Sequence, residues 1–238
     1  MQQPKLTFIH GFMGHPSDWD DVLAALPEYD TTAVKVEPTA DWHATVQQLA
    51  DSISQGSIVV GYSMGARLAL GVALEYPQCC RGLIFVSGNP GLESQQEREQ
   101  RWLSDQQVAE EIESGQLESF LNQWYQASVF AGLSDELRHS EIARKLALRS
   151  KDWPSILRTL SVSKQPNFWP RLKELAMPTL VVAGEQDEKY QNISVRFAEE
   201  TSANVETKIV SDCGHIVHRE QPEVFVELVR QFVNQFEC

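Results

Sequence analysis

A serine set between two glycines, a histidine and a few acids are the residues with which this chain could do chemistry. Gly61-Tyr62-Ser63-Met64-Gly65 follows the apolar run "SIVV" and precedes the helically spaced "ARLALGVALE". With a strand before it and a helix after it, a G-x-S-x-G segment reads as a sharp turn that lifts the serine hydroxyl to the start of the helix, where developing negative charge is favoured. A serine hydroxyl stays weak until a base takes its proton, and that base needs an orienting carboxylate. His215 in "DCGHIVHREQP" and Asp187 in "VVAGEQDEKY" supply the pair, each just after a strand candidate. Glu185, Glu188 and Asp212 are alternative acids. "FIHGFMG", from Phe8 to Gly14, follows the first strand candidate. The backbone N–H groups of Phe12 and Met64 would form an oxyanion hole there.

Two other chemistries compete for the same residues. Cys213 lies two residues before His215 and could serve as a thiol nucleophile. His215 and His218, three apart, could begin a metal site, but no third ligand follows at matching spacing, so no metal is expected. His218 reads instead as a residue that packs or caps the helix starting near Gln221. Cys79, Cys80, Cys213 and Cys238 show no C-x-x-C spacing and are expected as reduced thiols.

The elements that would position these groups alternate along the chain. Strand candidates are "KLTFIH", "TTAVKV", "SIVVGY", "GLIFVSG", "TLVVAGE" and "ETKIVS". Helical patterns lie between them near Ser17 to Leu26, Thr45 to Ile53, Ala66 to Glu75, Ile193 to Glu200 and Pro222 to Phe236, with a capping signal at Ser17 and Asp20. β-Branched apolar runs joined by helices predict parallel strands with crossover connections. From about Gly91 to Lys173 the strands stop and charged amphipathic patterns take over, as in "VAEEIESGQLESFLNQWYQ". We expect residues 1–90 and 174–238 to form one α/β core, and residues 91–173 to be a helical lid inserted into it rather than an independent domain.

A chain of 238 residues with a net charge of -13 has room for one large core and would repel nucleic acid or an anionic membrane. The amino-terminal "MQQPKLTFIHGF" lacks the apolar run of a signal peptide, and no segment is long enough to span a membrane. The expectation is a cytoplasmic protein, a monomer or small homo-oligomer.

"HGF", "GYSMG", "GEQD" and "CGH", in that order, resemble the α/β-hydrolase superfamily from end to end. More narrowly the chain is similar to the 2-succinyl-6-hydroxy-2,4-cyclohexadiene-1-carboxylate synthases, which eliminate pyruvate in menaquinone and phylloquinone biosynthesis. That likeness rests on "NPGLESQQEREQRW", "FLNQWYQASVFAGL", "LALRS", "SVSKQPNFWPRL" and "HREQP". The resemblance implies an α/β-hydrolase fold, a mostly parallel central sheet with helices on both faces and a helical lid. It also implies a lyase with no cofactor, acting on a small anionic substrate with several carboxylates. Ser63, Asp187 and His215 would be catalytic, and Tyr62, Arg67, Arg101, Trp124 and Arg149 would bind substrate. Arginine suits that task, because its planar guanidinium grips a carboxylate with two hydrogen bonds.

Three features depart from the pattern. The chain reads "VKVEPTADWHA" where many relatives have a P-G-H-G-type turn, it starts directly at "KLTFIH", and Ala66 stands where glycine is common. Two other readings stay open at this point: a serine hydrolase of an ester or carbon–carbon bond, with Ser63 as nucleophile, and a binding protein that has kept the fold without catalysis.

Overall fold

The structure, a computed structural model, describes residues 3–201 and 204–236. Cys238 lies outside them. Six strands, β1 (Lys5–Ile9), β2 (Asp30–Val34), β3 (Ser57–Tyr62), β4 (Cys80–Val86), β5 (Thr179–Gly184) and β6 (Val205–Val210), form one sheet in the order β2-β1-β3-β4-β5-β6. Every pairing is parallel. Parallel neighbours cannot be joined by a hairpin, so the chain must return along the sheet each time, and helices do this. They are α1 (Asp20–Ala24), α2 (Trp42–Ser52), α3 (Met64–Glu75), α4 (Gln95–Glu113), α5 (Leu117–Trp124), α6 (Asp135–Leu148), α7 (Trp153–Leu160), α8 (Glu188–Glu200), α9 (Val217–Glu220) and α10 (Pro222–Asn234). All six strand candidates are found.

Alternation along the strands divides the core into two layers. Phe8, Ile58, Val60, Ile84 and Val182 pack with α10 on one face, and Ile9, Val59, Phe85 and Val181 pack with α3 on the other. Full burial of a side chain the size of Phe8 contributes about 2–3 kcal/mol. A third apolar cluster, with Phe120, Leu121, Tyr125, Phe130 and Trp153, belongs to the helices between β4 and β5 and closes over Met13 and Ile216 at the ends of the strands.

Four helix starts differ from expectation, α3 beginning at Met64 rather than Ala66. The cap expected at Ser17 lies at His15, whose Nδ1 accepts the Ser17 N–H at 3.2 Å while its own N–H donates to Asp18 Oδ2 at 3.2 Å. Pro16 explains the shift, because a first-turn proline fixes φ for the helix and needs no acceptor. α2 starts at Trp42 because Asp41 accepts the Ala44 N–H at 2.8 Å. α8 starts at Glu188, five residues before Ile193, with a polar first turn that apolar spacing does not reveal; its Lys189 and Tyr190 line the cavity described below.

The segment between β4 and β5 leaves and returns through a closed neck. Phe168 N–H donates to Pro90 O at 2.8 Å, Trp169 Nε1 donates to Gly91 O at 3.1 Å, and Gln165 Nε2 donates to Asn89 O at 2.9 Å. Gly91, at φ 139°, has a backbone conformation that side chains disfavour, and a Cβ there would lie 2.9 Å from the Asn167 Cα.

Candidate active site

Ser63 joins β3 to α3 at φ 53° and ψ -110°, a strained conformation for a residue with a side chain. Close packing enforces it. A Cβ on Gly65 would meet Ile9 O at 2.1 Å and one on Gly61 would meet Gly65 O at 2.3 Å, so only glycine lets α3 come down onto β1 and β3. Ser63 N–H donates to Val86 O at 2.9 Å. The hydroxyl thereby stands at the carboxyl edge of the sheet.

His215 reaches it from the loop after β6. Its Nε2 lies 3.2 Å from Ser63 Oγ, and its Nδ1 lies 2.6 Å from Asp187 Oδ2. Both His215 and Asp187 are buried. Three aromatic rings surround the imidazole: Tyr190 at 4.7 Å, Tyr62 at 5.4 Å and Phe130 at 5.8 Å between centroids. Of the other acids, Glu185 accepts the Asp212 N–H at 3.1 Å and Glu188 is exposed; neither is paired with His215.

Glu220 is a residue that the sequence reading missed. Its carboxylate accepts the N–H groups on both sides of His215, Gly214 and Ile216, each at 2.7 Å. Ser87 Oγ donates to His215 O at 3.0 Å. The loop carrying the imidazole is therefore held from three directions. The glutamate of "HREQP", five residues after the histidine, was its only signal.

The thiol and metal alternatives find no support in the geometry. Cys213 is buried, its Sγ turned to Gly214 O at 3.6 Å, and burial pushes the thiol up to about 12. His218 stacks on Trp19 at 4.2 Å and meets Phe225 of α10 at 6.1 Å, so it packs that helix. Among the described residues no three His, Cys, Asp or Glu side chains gather as a metal site.

Gly11 to Gly14 form a tight turn closed by Gly14 N–H to Gly11 O at 3.0 Å, with Met13 at φ 56°. Phe12 occupies the second position of this turn, and Met64 is the first residue of α3, where a helix leaves its N–H groups without internal acceptors. Both residues line the same cavity as Ser63 and His215.

That cavity, about 370 Å³, lies between the strand ends and the helices inserted between β4 and β5. Tyr62, Arg67, Arg101 and Trp124 all reach its wall. Trp124 packs edge-on against Phe12 at 5.9 Å. Arg67 is buried and donates to Gln165 Oε1 at 3.1 Å and Leu160 O at 2.9 Å; burial pushes its guanidinium down to about 10. It ties α3 to the insertion as well as facing the cavity.

Arg149, expected to bind substrate, does not line this cavity. It ends α6 in the left-handed conformation, φ 40°; it is exposed, and its Nε folds back to donate to Leu146 O at 2.9 Å. One turn earlier on the same helix, Lys145 does line the cavity, and so does Lys189 at the start of α8. Neither lysine was singled out from sequence.

Comparison with known proteins adds to this geometry. The alpha/beta hydrolase fold family matches residues 10–222. The chain is 31% identical to 2-succinyl-6-hydroxy-2,4-cyclohexadiene-1-carboxylate synthase of Enterobacter sp. (strain 638), over 97% of this chain and 92% of that protein. It is 28% identical to Protein PHYLLO, chloroplastic, of Arabidopsis thaliana, over 96% of this chain but 15% of that longer protein. Among solved structures it is similar to MenH from S. aureus, with a TM-score of 0.93, 25% identity and coverage of 100% of this chain and 96% of the other. A thermophilic esterase from Thermogutta terrifontis shares the fold at a TM-score of 0.77 and 18% identity, over 98% of this chain and 90% of the esterase.

Proposed function

Because the chain belongs to the α/β-hydrolase fold family, and within it to the 2-succinyl-6-hydroxy-2,4-cyclohexadiene-1-carboxylate synthases, we propose that it eliminates pyruvate from 2-succinyl-5-enolpyruvoyl-6-hydroxy-3-cyclohexene-1-carboxylate. This is a carbon–oxygen lyase reaction of menaquinone or phylloquinone biosynthesis. One observation carries the reading: the Ser63–His215 pair, at 3.2 Å, opens into a cavity with Arg67, Arg101, Lys145 and Lys189 in its wall. Among the described residues five cations line the cavity against three carboxylates, an excess that suits a substrate with an acidic C–H bond and three carboxylates.

The ring hydrogen next to the succinyl carbonyl is the acidic one. Ser63 Oγ, its own proton drawn to His215 Nε2, takes that hydrogen, and Asp187 holds the imidazolium that results. The electron pair left on C2 forms the C2–C3 double bond, the former C3–C4 double bond moves to C4–C5, and the C5–O bond breaks with its electrons on oxygen. Enolpyruvate then takes a proton and becomes pyruvate. Negative charge on the succinyl oxygen is met by the N–H groups of Phe12 and Met64. No acyl bond forms, so water has no part in the reaction; the inserted helices, acting as a lid, and the aromatic rings about His215 keep it out.

The test is pyruvate release followed in a coupled assay with wild type, Ser63→Ala and His215→Ala. Release in wild type that drops by about a thousandfold or more in both variants is expected. Release no faster than the blank, with cleavage of a simple aryl ester instead, would overturn the reading.

A further inference from the structure

Three carboxylates lie in the cavity wall, and one of them has an oxygen with nothing to bind. Asp18 is engaged at both oxygens, by Arg144 at 2.8 Å and Lys145 at 3.1 Å. Glu141 is engaged by Arg219 at 3.2 Å and Lys145 at 3.7 Å. Asp105, on α4, accepts from Arg101 Nε at 2.8 Å through Oδ1, while its Oδ2 is buried without a hydrogen-bond partner among the described residues. The residue is only 5% exposed. A buried acceptor left unmet costs free energy, and a polar cavity is where a ligand can meet it.

The surroundings of Asp105 are cationic. Arg101 spends Nε on Asp105 and has no other ion pair among the described residues. Lys189 lines the same cavity and makes no ion pair among them; its ammonium lies 5.4 Å from the Tyr190 ring centroid. Lys189 is an exposed residue whose partial desolvation, together with the nearby Arg101 charge, holds its ammonium below its usual value, an effect that Asp187 opposes. A ligand carboxylate would satisfy Arg101 and Lys189 but would be repelled by Asp105. A ligand carrying a hydroxyl beside its carboxylate would satisfy all three.

We propose that Asp105, Arg101 and Lys189 form a subsite for a β-hydroxycarboxylate, in which the two cations take the carboxylate and Asp105 Oδ2 accepts the hydroxyl proton. The 1-carboxylate and 6-hydroxyl of the proposed substrate sit on adjacent ring carbons and are such a group. The inference rests on the proposed function for that ligand's identity, but not for the arrangement of donors and acceptor. Binding a carboxylate and a hydroxyl on neighbouring carbons fixes the rotation of the ring, and with it the place of the hydrogen to be removed from the next carbon.

The test uses two probes that cannot react, 2-hydroxycyclohexane-1-carboxylate and cyclohexanecarboxylate, titrated calorimetrically into the whole protein. Wild type should bind the hydroxy acid about tenfold more tightly or better, as expected for a hydrogen bond to a charged acceptor. Asp105→Ala should bring the ratio to about one, with Asp105→Asn between the two. Lys189→Ala should weaken both probes alike and leave the ratio unchanged, which separates loss of the hydroxyl contact from general disturbance of the site. A ratio near one in wild type, a preference that survives in Asp105→Ala, or no binding of either probe at tens of millimolar would overturn the subsite. Pyruvate release measured on the same wild-type protein keeps the two readings apart: a preference for the hydroxy acid without pyruvate release sinks the reaction and spares the subsite, and the reverse result does the opposite.

Discussion

At one end of the cavity Asp18 and Glu141, with Asp21 behind them, meet Arg144, Lys145 and Arg219 at 2.8–3.7 Å, and each charge has its counter-charge. At the other, Arg101 alone pairs with a carboxylate, Asp105 at 2.8 Å, while Arg67 and Lys189 make no ion pair among the described residues. The residue types are the same, so type does not decide the role; pairing does. Charges that are matched inside the protein fasten α6 to the turn after β1 and to α9. Unmatched cations leave their charge for something that comes from outside.

Acid should strain the matched end first, because His10 and His218 are buried beside it. Burial lowers His10 to about 4 and His218 to about 3. Both fall below the unfolded value, so their stabilisation is complete above pH 6.5 and is withdrawn as the pH falls towards the folded values. Between pH 6.5 and pH 4 each should cost about 3 kcal/mol of unfolding free energy. Denaturant titrations across that range should be clearly flatter for His218→Phe than for wild type; parallel curves would mean that His218 does not titrate there.

Removing a cation sharpens the contrast. Lys145→Met leaves Asp18 and Glu141 short of a partner and should destabilise the chain by about 3–5 kcal/mol, measured by urea unfolding. Lys189→Ala, which breaks no ion pair, should stay within about 0.5 kcal/mol of wild type in the same experiment. Its effect should appear instead as a KM about tenfold higher with kcat nearly unchanged. Equal stability losses in the two variants would erase the distinction between the ends. The smallest change is expected for Arg149→Ala: exposed and outside the cavity wall, it should shift KM less than Lys189→Ala does, and a larger shift would bring Arg149 back into the site.

The sheet was legible in the sequence because each strand is a short β-branched or apolar run cut off by a turn, and this holds even for the polar edge strands β2 and β6. Helix starts were less so. The first turn of α8 is Glu188-Lys189-Tyr190-Gln191, which breaks the apolar period that reveals the rest of the helix. Ser63, Asp187 and His215 were readable from motif, flanking elements and order. Asp105 and Lys145 were not, since a charged residue on an amphipathic helix reads as a solvated face until another element packs over it, and Lys189 is exposed and shows itself only by its place in the cavity wall. The place of Arg149 outside the cavity wall was not legible either: helical spacing carries no sign of the left-handed turn that ends α6.

The closed neck at Pro90 and Phe168 has a consequence for descent. β4 and β5 are parallel neighbours, so some chain must run back between them whatever the protein does. The hydrogen bonds at the neck already join the outgoing and returning halves of that path. To the sheet, everything beyond the neck amounts to the length of one loop, and the entropy of closing a loop rises only slowly with its length. Helices there can be lengthened, exchanged or rebuilt across generations while the strands and the serine turn stay as they are. An esterase that is 18% identical shares the same framework, and the parts of the insertion that do not pack into the core, as Ile156 and Leu160 of α7 do, are the ones free to change with the substrate.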